Sequence, residues 1–251
     1  MGNVRPTVLS IAGMDPSAGA GLMADIKTFE ANQVYGLGIP SAITNQHDLC
    51  FKHVDWIPLP KIIDQVELLK ERFKIDFIKI GLIENLMVLN KLLTHLTDTL
   101  PNASIVWDPV LKASAGHTFH SEIDLQLIKD ICKKIYLLTP NVPEAIALSK
   151  NADAAENAKE LSAFCNVYLK GGHAEREKGK DHLFTKDGKK FSFNPKQRTI
   201  TSKHGSGCVL SAAVTSYLAR EMKLHASCLK AKAYTSRFLS SNSTLLGYHK
   251  R

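Results

Sequence analysis

Thr7-Val-Leu-Ser-Ile-Ala12, a short apolar run stopped by Gly13, decides the fold. A run of this length and character reads as a buried strand. After a loop, Leu22, Ile26 and Phe29 recur at the spacing of one helix face, which predicts a helix over residues 21–32. Residues 36–44 then read as a second strand.

Outward from this unit the alternation repeats. Ile62, Ile63, Val66, Leu69 and Phe73 mark a helical face, residues 77–80 a strand, 86–100 a helix and 104–107 a strand that ends at Asp108-Pro109. Helical patterns follow at 122–134, 143–149 and 154–164, with apolar runs at 135–138 and 167–169. Strand and helix in strict alternation imply right-handed crossovers and a mostly parallel sheet covered on both faces, a doubly wound α/β architecture. The pattern breaks near residues 173–203. There Leu183–Thr185, Asp187-Gly188 and Phe191–Phe193 predict a β-hairpin insertion, with no room for a large lid domain. Two helices, about 207–221 and 226–243, close the chain.

At 251 residues, 44% hydrophobic and 22% charged, the chain has the composition of a folded globular protein, not a disordered one. Residues 1–251 carry no linker, repeat or low-complexity tract, so one domain is expected. No apolar run nears the ~18 residues of a membrane helix and the first residues lack a signal-peptide core, so a cytoplasmic chain with no membrane partner is expected. Five widely spaced cysteines without a CxxC pair argue for reduced thiols over a disulfide framework or zinc site. His117 and His120 form an HxxH pair with no neighbouring cysteine or acid, a weak metal signal. The formal charge of +8 is concentrated between Arg176 and Lys203, where nine Lys or Arg face three Asp or Glu. Little aromatic interleaving and no nucleic-acid motif accompany it. A solvated hairpin is therefore expected, or attraction of a small polyanion, and no nucleic-acid partner.

In open parallel sheets ligands bind at the carboxyl ends of the strands. The residues that fall there are Asp15, Asp25, Gln46, Asp108, Asn141, Glu144, Lys170-Gly-Gly172 and Gly205–Cys208. His204-Gly-Ser-Gly-Cys208 opens an apolar helical run. Backbone N–H groups of Gly205, Ser206 and Gly207 converging at a helix mouth make an anion hole suited to phosphate. A thiol in that first turn should have its thiolate favoured, making Cys208 a candidate base or nucleophile; a Gly-rich cap with a buried cysteine is the plain alternative. Gly19-Ala-Gly-Leu-Met-Ala24 has the form of a dinucleotide fingerprint. It lacks the tight strand-to-helix turn and the acid at the end of the second strand that a dinucleotide site needs. Thr139-Pro-Asn-Val-Pro-Glu144 could hold a hydrated magnesium ion with Asp108, or could simply start a helix with Glu144 at its positive end.

Taken in order, these segments resemble the hydroxymethylpyrimidine/phosphomethylpyrimidine kinases of thiamine biosynthesis, members of the ribokinase-like superfamily. The resemblance rests on Ala12-Gly-Met-Asp-Pro-Ser-Ala-Gly-Ala-Gly21 with Ala24-Asp-Ile-Lys-Thr-Phe29, Lys79-Ile-Gly81, Asp108-Pro-Val110, Leu138-Thr-Pro-Asn-Val-Pro-Glu-Ala145, Leu169-Lys-Gly-Gly-His173 and His204-Gly-Ser-Gly-Cys208. It implies a ribokinase-like fold and ATP-dependent, Mg2+-assisted phosphorylation of 4-amino-5-hydroxymethyl-2-methylpyrimidine and then of its monophosphate. By the same resemblance Gly13, Ala20, Asp25, Gln46, Leu82 and Val110 line the pyrimidine pocket. Asn141, Lys170 and Gly171 serve the nucleotide, Asp108 and Glu144 the metal, and Cys208 sits beside the substrate hydroxyl. Gln46 offers donors and an acceptor to match an aminopyrimidine edge. A homodimer is also implied. The sequence departs from the family's usual pattern at His47-Asp48, Leu82 and Ala113-Ser-Ala-Gly116, all at the pocket rim. A pyridoxal kinase of the same fold and a non-catalytic pyrimidine-binding protein stay open as alternatives. Residues 174–203 are expected to help cover the nucleotide.

Overall fold

The computed structural model describes residues 5–111, 123–149, 151–173, 179–195 and 201–250. The pair His117/His120, the segment Ala113–Gly116 and parts of the basic stretch lie outside the described residues. The expected alternation is present: β1 (Thr7–Met14), α1 (Gly21–Ala31), β2 (Tyr35–His47), β3 (Cys50–Trp56), α2 (Leu59–Arg72), β4 (Phe77–Ile80), α3 (Leu86–Thr99), β5 (Ser104–Trp107), α4 (Leu125–Cys132), β6 (Leu137–Leu138), α5 (Val142–Ser149), α6 (Ala154–Leu161) and β7 (Asn166–Leu169). A 3-10 turn (Gly171–His173), β8 (Asp181–Phe184), β9 (Lys190–Phe193), α7 (Ser206–Ala219) and α8 (Leu224–Leu239) complete it.

The strands form one sheet in the order β3-β2-β1-β4-β5-β6-β7-β8-β9. Pairing is parallel from β2 through β7 and antiparallel at both margins, β2 with β3, β7 with β8 and β8 with β9. Side-chain alternation assigns the faces. Leu9 and Ile11, Ile105 and Trp107, and Val167 and Leu169 join the core beneath α2–α6. Val106, Leu137 and Tyr168 point the other way, into a core with α7 and α8, while Val8 meets Phe29 of α1 and Ala212 of α7. Apolar residues on both faces are what a parallel sheet sandwiched between helices requires. Helix α7 is buried on every residue from Val209 to Ala219, as a helix apolar all round must be.

Three differences from the sequence expectation have physical causes. Strand β3 went unread because its residues alternate between exposed and half-buried, the pattern of an antiparallel margin and not of a core strand. It pairs with an extension of β2 that runs to His47, past the end of β1. The run 135–138 narrows to the two residues Leu137–Leu138. Helix α8 stops at Leu239, short of 243, where the Leu239 carbonyl accepts from Thr201 N instead of from the next helical turn. The hairpin stands as expected, with Gly188 at φ +83° in its turn.

Candidate active site

Strand order reverses at β1, whose neighbours are β2 on one side and β4 on the other, so the crevice beyond the carboxyl ends of β1 and β4 is the place for a ligand. Two helix N-termini meet there. Helix α1 begins at Gly21 after the loop 15–20, and α7 begins at Ser206 after Gly205. Gly205 adopts φ +73°, and a Cβ there would lie 2.1 Å from the Gly19 carbonyl oxygen, so this approach admits only glycine. Gly21, at φ +57°, is confined in the same way against the Gly13 carbonyl. The backbone amides at both helix starts therefore face a common space.

The thiol of Cys208 lies between them, near enough to the Gly21 N–H for that group to favour its charged form. The sequence expectation of a favoured thiolate is corrected here. Burial, with the negative charges of Asp108 and Asp25 nearby, pushes the thiol up to about 11 against the pull of Lys79. Cys208 is a protonated thiol at neutral pH.

Two ion pairs flank it. Beneath the site, Lys79 of β4 donates to Asp25 Oδ2 of α1 at 2.8 Å, and Ser10 Oγ donates to the same oxygen at 2.7 Å. Lys79 and Asp25 have no exposed side-chain surface. Burial raises the Asp25 carboxyl, Lys79 opposing, and Asp25 Oδ1 has no partner among the described residues. On the other side, Lys170 donates to Asp108 Oδ1 at 2.7 Å and stands 3.6 Å from Glu144 Oε2. Asp108 also accepts from Ser211 Oγ (3.0 Å) and Thr139 Oγ1 (3.2 Å). Burial works against its charge, but Lys170, Lys79 and these donors hold the carboxyl below the usual value. Glu144 differs. Burial and the Asp108 charge, only partly offset by Lys170, push its carboxyl up to about 7. The Lys170 ammonium also lies 3.5 Å from where a Cβ on Gly207 would sit, which brings this cluster to the mouth of α7.

Asn141 and Glu144 satisfy the start of α5 reciprocally: Glu144 Oε2 accepts from Asn141 N (2.7 Å) and Asn141 Oδ1 from Glu144 N (2.9 Å), a capping box. The helix-start reading of this motif is thus realised. The cap leaves Glu144 a buried carboxylate that its neighbouring lysine compensates only in part, a chemistry that suits a divalent cation. Among the described residues no three His, Cys, Asp or Glu side chains cluster into a cage. The donor set fits a largely hydrated Mg2+ held through phosphate oxygens and one or two carboxylates.

Of the other expected site residues, Gly13 and Leu82 are brought together, a Cβ on Gly13 falling 2.9 Å from Leu82 Cδ2. Ala20 caps α1, and Val110 follows Asp108, its N–H bonded to the Asp108 carbonyl at 2.8 Å. Gln46 lies on the β2–β3 extension, half-buried, at a register shift between Asn45 and Gln46. The Gly171 N–H is already taken by Asp181 Oδ1 at 2.8 Å. Sequence reasoning assigned no role to Lys79, Ser10, Ser211 or Thr139. Lys79 alone carried a signal, a lysine in an otherwise apolar strand.

Comparison with known proteins finds relatives over nearly the whole chain. The family model described as phosphomethylpyrimidine kinase matches residues 15–250. The hydroxymethylpyrimidine/phosphomethylpyrimidine kinase of Haemophilus influenzae is 32% identical over 96% of this chain and 93% of its own. Among solved structures, phosphomethylpyrimidine kinase from Clostridium difficile superposes with a TM-score of 0.77 at 28% identity, covering 93% of this chain and 99% of that one. A pyridoxal kinase of Bacillus subtilis in an ADP complex superposes with a TM-score of 0.78 at 26% identity, over 92% and 90% of the two chains. A match spanning nearly the whole chain, on a ribokinase-like sheet with two helix mouths closing on one cysteine, places this protein in the phosphomethylpyrimidine kinase family.

Proposed function

We propose that this chain transfers the γ-phosphoryl group of ATP to the hydroxymethyl oxygen of 4-amino-5-hydroxymethyl-2-methylpyrimidine, and then to the resulting monophosphate. The pyrophosphate so formed is the pyrimidine donor for thiamine phosphate synthesis. The observation that carries this reading is the convergence of the α1 and α7 N-termini on Cys208 beside the Asp108–Lys170–Glu144 cluster.

Phosphoryl transfer needs chiefly positioning and charge neutralisation. In this reading the amides of Gly205, Ser206 and Gly207 receive the transferring group, Lys170 neutralises phosphate oxygens beside them, and Asn141 and Gly171 border the nucleotide. Asp108 and Glu144 would hold Mg2+, which when bound neutralises charge on the ATP phosphates. Gly13, Ala20, Asp25, Leu82 and Val110 shape the pyrimidine pocket, and Gln46 reaches its aminopyrimidine edge from the β2–β3 extension. Cys208, protonated at rest, orients the acceptor hydroxyl, whose proton passes late in a loose transition state to an oxygen of the transferring phosphoryl group. The monophosphate is already ionised and needs no such help.

Strand β3 leaves one margin of the sheet open next to exposed Ile43 and Leu49, which supports a homodimer formed over that margin. No helix among the described residues is long and apolar enough to cross a membrane.

The test is an assay with ATP and magnesium against hydroxymethylpyrimidine and pyridoxal side by side, resolving mono- from diphosphorylated product. Pyrimidine pyrophosphate is expected. Product from pyridoxal alone would favour the second reading, which the ADP-bound pyridoxal kinase neighbour supports. Pyrimidine binding without ATP turnover would leave a binding protein.

A further inference from the structure

Asp15 and His204 lie 189 positions apart in sequence and meet in the interior, His204 Nε2 standing 2.8 Å from Asp15 Oδ2. Their side chains are 0% and 3% exposed respectively. Neither residue has a part in the transfer chemistry above, yet each sits at the root of one of the two helix mouths. Asp15 gathers the loop before α1: its Oδ1 accepts from Ser17 N (2.9 Å) and Oγ (2.8 Å), its Oδ2 from Ser17 Oγ and Ala20 N, both at 2.9 Å. Ala20 is the N-cap of α1, and His204 directly precedes Gly205, the N-cap of α7.

The two loops touch through atoms that leave no slack. A Cβ on Gly19 would lie 2.7 Å from His204 Cδ2, and Gly205 is pressed against the Gly19 carbonyl. From behind, the chain after α8 backs the histidine. His204 N donates to the Leu245 carbonyl (2.9 Å), and the Lys203 ammonium donates to the Asn242 carbonyl (2.7 Å), to Asn242 Oδ1 (2.9 Å) and to the Thr244 carbonyl. His204 Nδ1 is buried with no partner among the described residues. The Asp15 carboxylate can only accept, so His204 Nε2–H is the donor of the pair.

We propose that Asp15 and His204 are a positioning pair that fixes the α1 and α7 N-termini in register around the reacting phosphoryl group, with residues 242–246 as its backing. The proposal rests on the reading of Gly205–Gly207 as the anion hole. Neither side chain touches substrate in this scheme. Loss of the pair should therefore misplace the amides in the transition state more than it weakens pyrimidine binding.

The test compares His204→Phe, His204→Gln and Asp15→Asn with the parent chain and with Cys208→Ala, using ATP, magnesium and hydroxymethylpyrimidine. A displacement near 1 Å costs on the order of 100-fold, so His204→Phe is expected to lower kcat by about that factor while the pyrimidine KM stays within about threefold. Glutamine can present an amide N–H near the Nε2 position, so His204→Gln is expected to recover most of the lost kcat. Parent-like kcat in His204→Phe overturns the proposal. So does a loss of activity that only tracks the unfolded fraction in melting experiments and that glutamine does not rescue. If His204→Phe fails to fold, Asp15→Asn and His204→Gln decide by the same split between kcat and KM. A silent His204→Phe beside an impaired Cys208→Ala sinks the pair alone, whereas two silent variants sink the site on which it stands.

Discussion

The two buried ion pairs beside Cys208 have nearly the same length, 2.8 Å for Lys79–Asp25 and 2.7 Å for Lys170–Asp108, but they are built for different ends. The first is closed. Two charges and one serine hydroxyl satisfy each other out of contact with water, and the only loose end is Asp25 Oδ1. The second has a surplus carboxylate, Glu144, that one lysine cannot fully compensate. A closed pair fixes geometry, whereas a pair with surplus negative charge at the mouth of a phosphate-binding helix is poised to receive a cation. The contrast separates the floor of the site from its working edge.

Four changes break or sharpen that contrast. Removing one partner of a closed buried pair strands the other charge, at about 3–5 kcal/mol. Lys79→Met should lose stability of that size in denaturant titration, and adding Asp25→Leu should restore most of it. Lys170→Met should lose less, because Asp108 keeps Ser211 and Thr139 as donors. Equal losses would erase the distinction.

Next in size is Cys208→Ala, which lies between the two pairs. It should slow the first phosphoryl transfer by roughly 100-fold, the low end of proton-handling effects, while sparing the second. Timed product analysis reads both steps, and equal slowing of both would remove Cys208 from hydroxyl orientation.

A smaller effect concerns Glu144. Its folded carboxyl sits at about 7, above the ordinary 4.5, so the native state binds that proton more tightly than the unfolded chain does. The stabilisation this supplies is full below about pH 4.5 and is lost as pH rises through about 7. Glu144→Gln keeps an acceptor for Asn141 N–H but cannot titrate. Its melting temperature should therefore gain on the parent's as pH rises across that window, and a constant gap would refute the surplus-charge account.

The smallest concerns a third pair. Asp181 accepts from Lys232 (2.6 Å) and Tyr168 (2.8 Å) and uses its other oxygen to hold Gly171 N–H. Asp181→Asn weakens that hold by about one hydrogen bond, ~1 kcal/mol. This corresponds to about fivefold in the KM for ATP, measured at saturating pyrimidine. An unchanged KM would detach this pair from the nucleotide.

Much of this was legible before any coordinates. Strands such as Thr7–Ala12 and Ser104–Trp107 announce themselves because burial on both faces forces continuous apolar runs. Helix α3 is equally plain from its leucine spacing. The same logic hid β3, whose half-exposed residues mimic a loop. In the site, motifs local in sequence were readable: the Gly205–Cys208 helix mouth and the Asn141/Glu144 cap. Partnerships across the chain were not. Nothing near Asp25 names Lys79 as its partner 54 positions away, and nothing near Asp15 names His204. The thiol's protonation state is hidden for the same reason, since it is set first by burial in the folded interior and then by Lys79, Asp108 and Asp25, all distant in sequence.

The backing of His204 by Leu245 also bears on how the molecule comes into being. The strand ladders from β1 to β9 have all their hydrogen-bonding partners before α7, but one face of the sheet and the loop before α1 wait for α7, α8 and the residues after them. Contacts that span nearly the full chain are the slowest to close, because their loop-closure entropy is met only at the end. The ladders can therefore pair before α7 and α8 cover the second face of the sheet. The second helix mouth is complete only once residues through Leu245 are seated behind it.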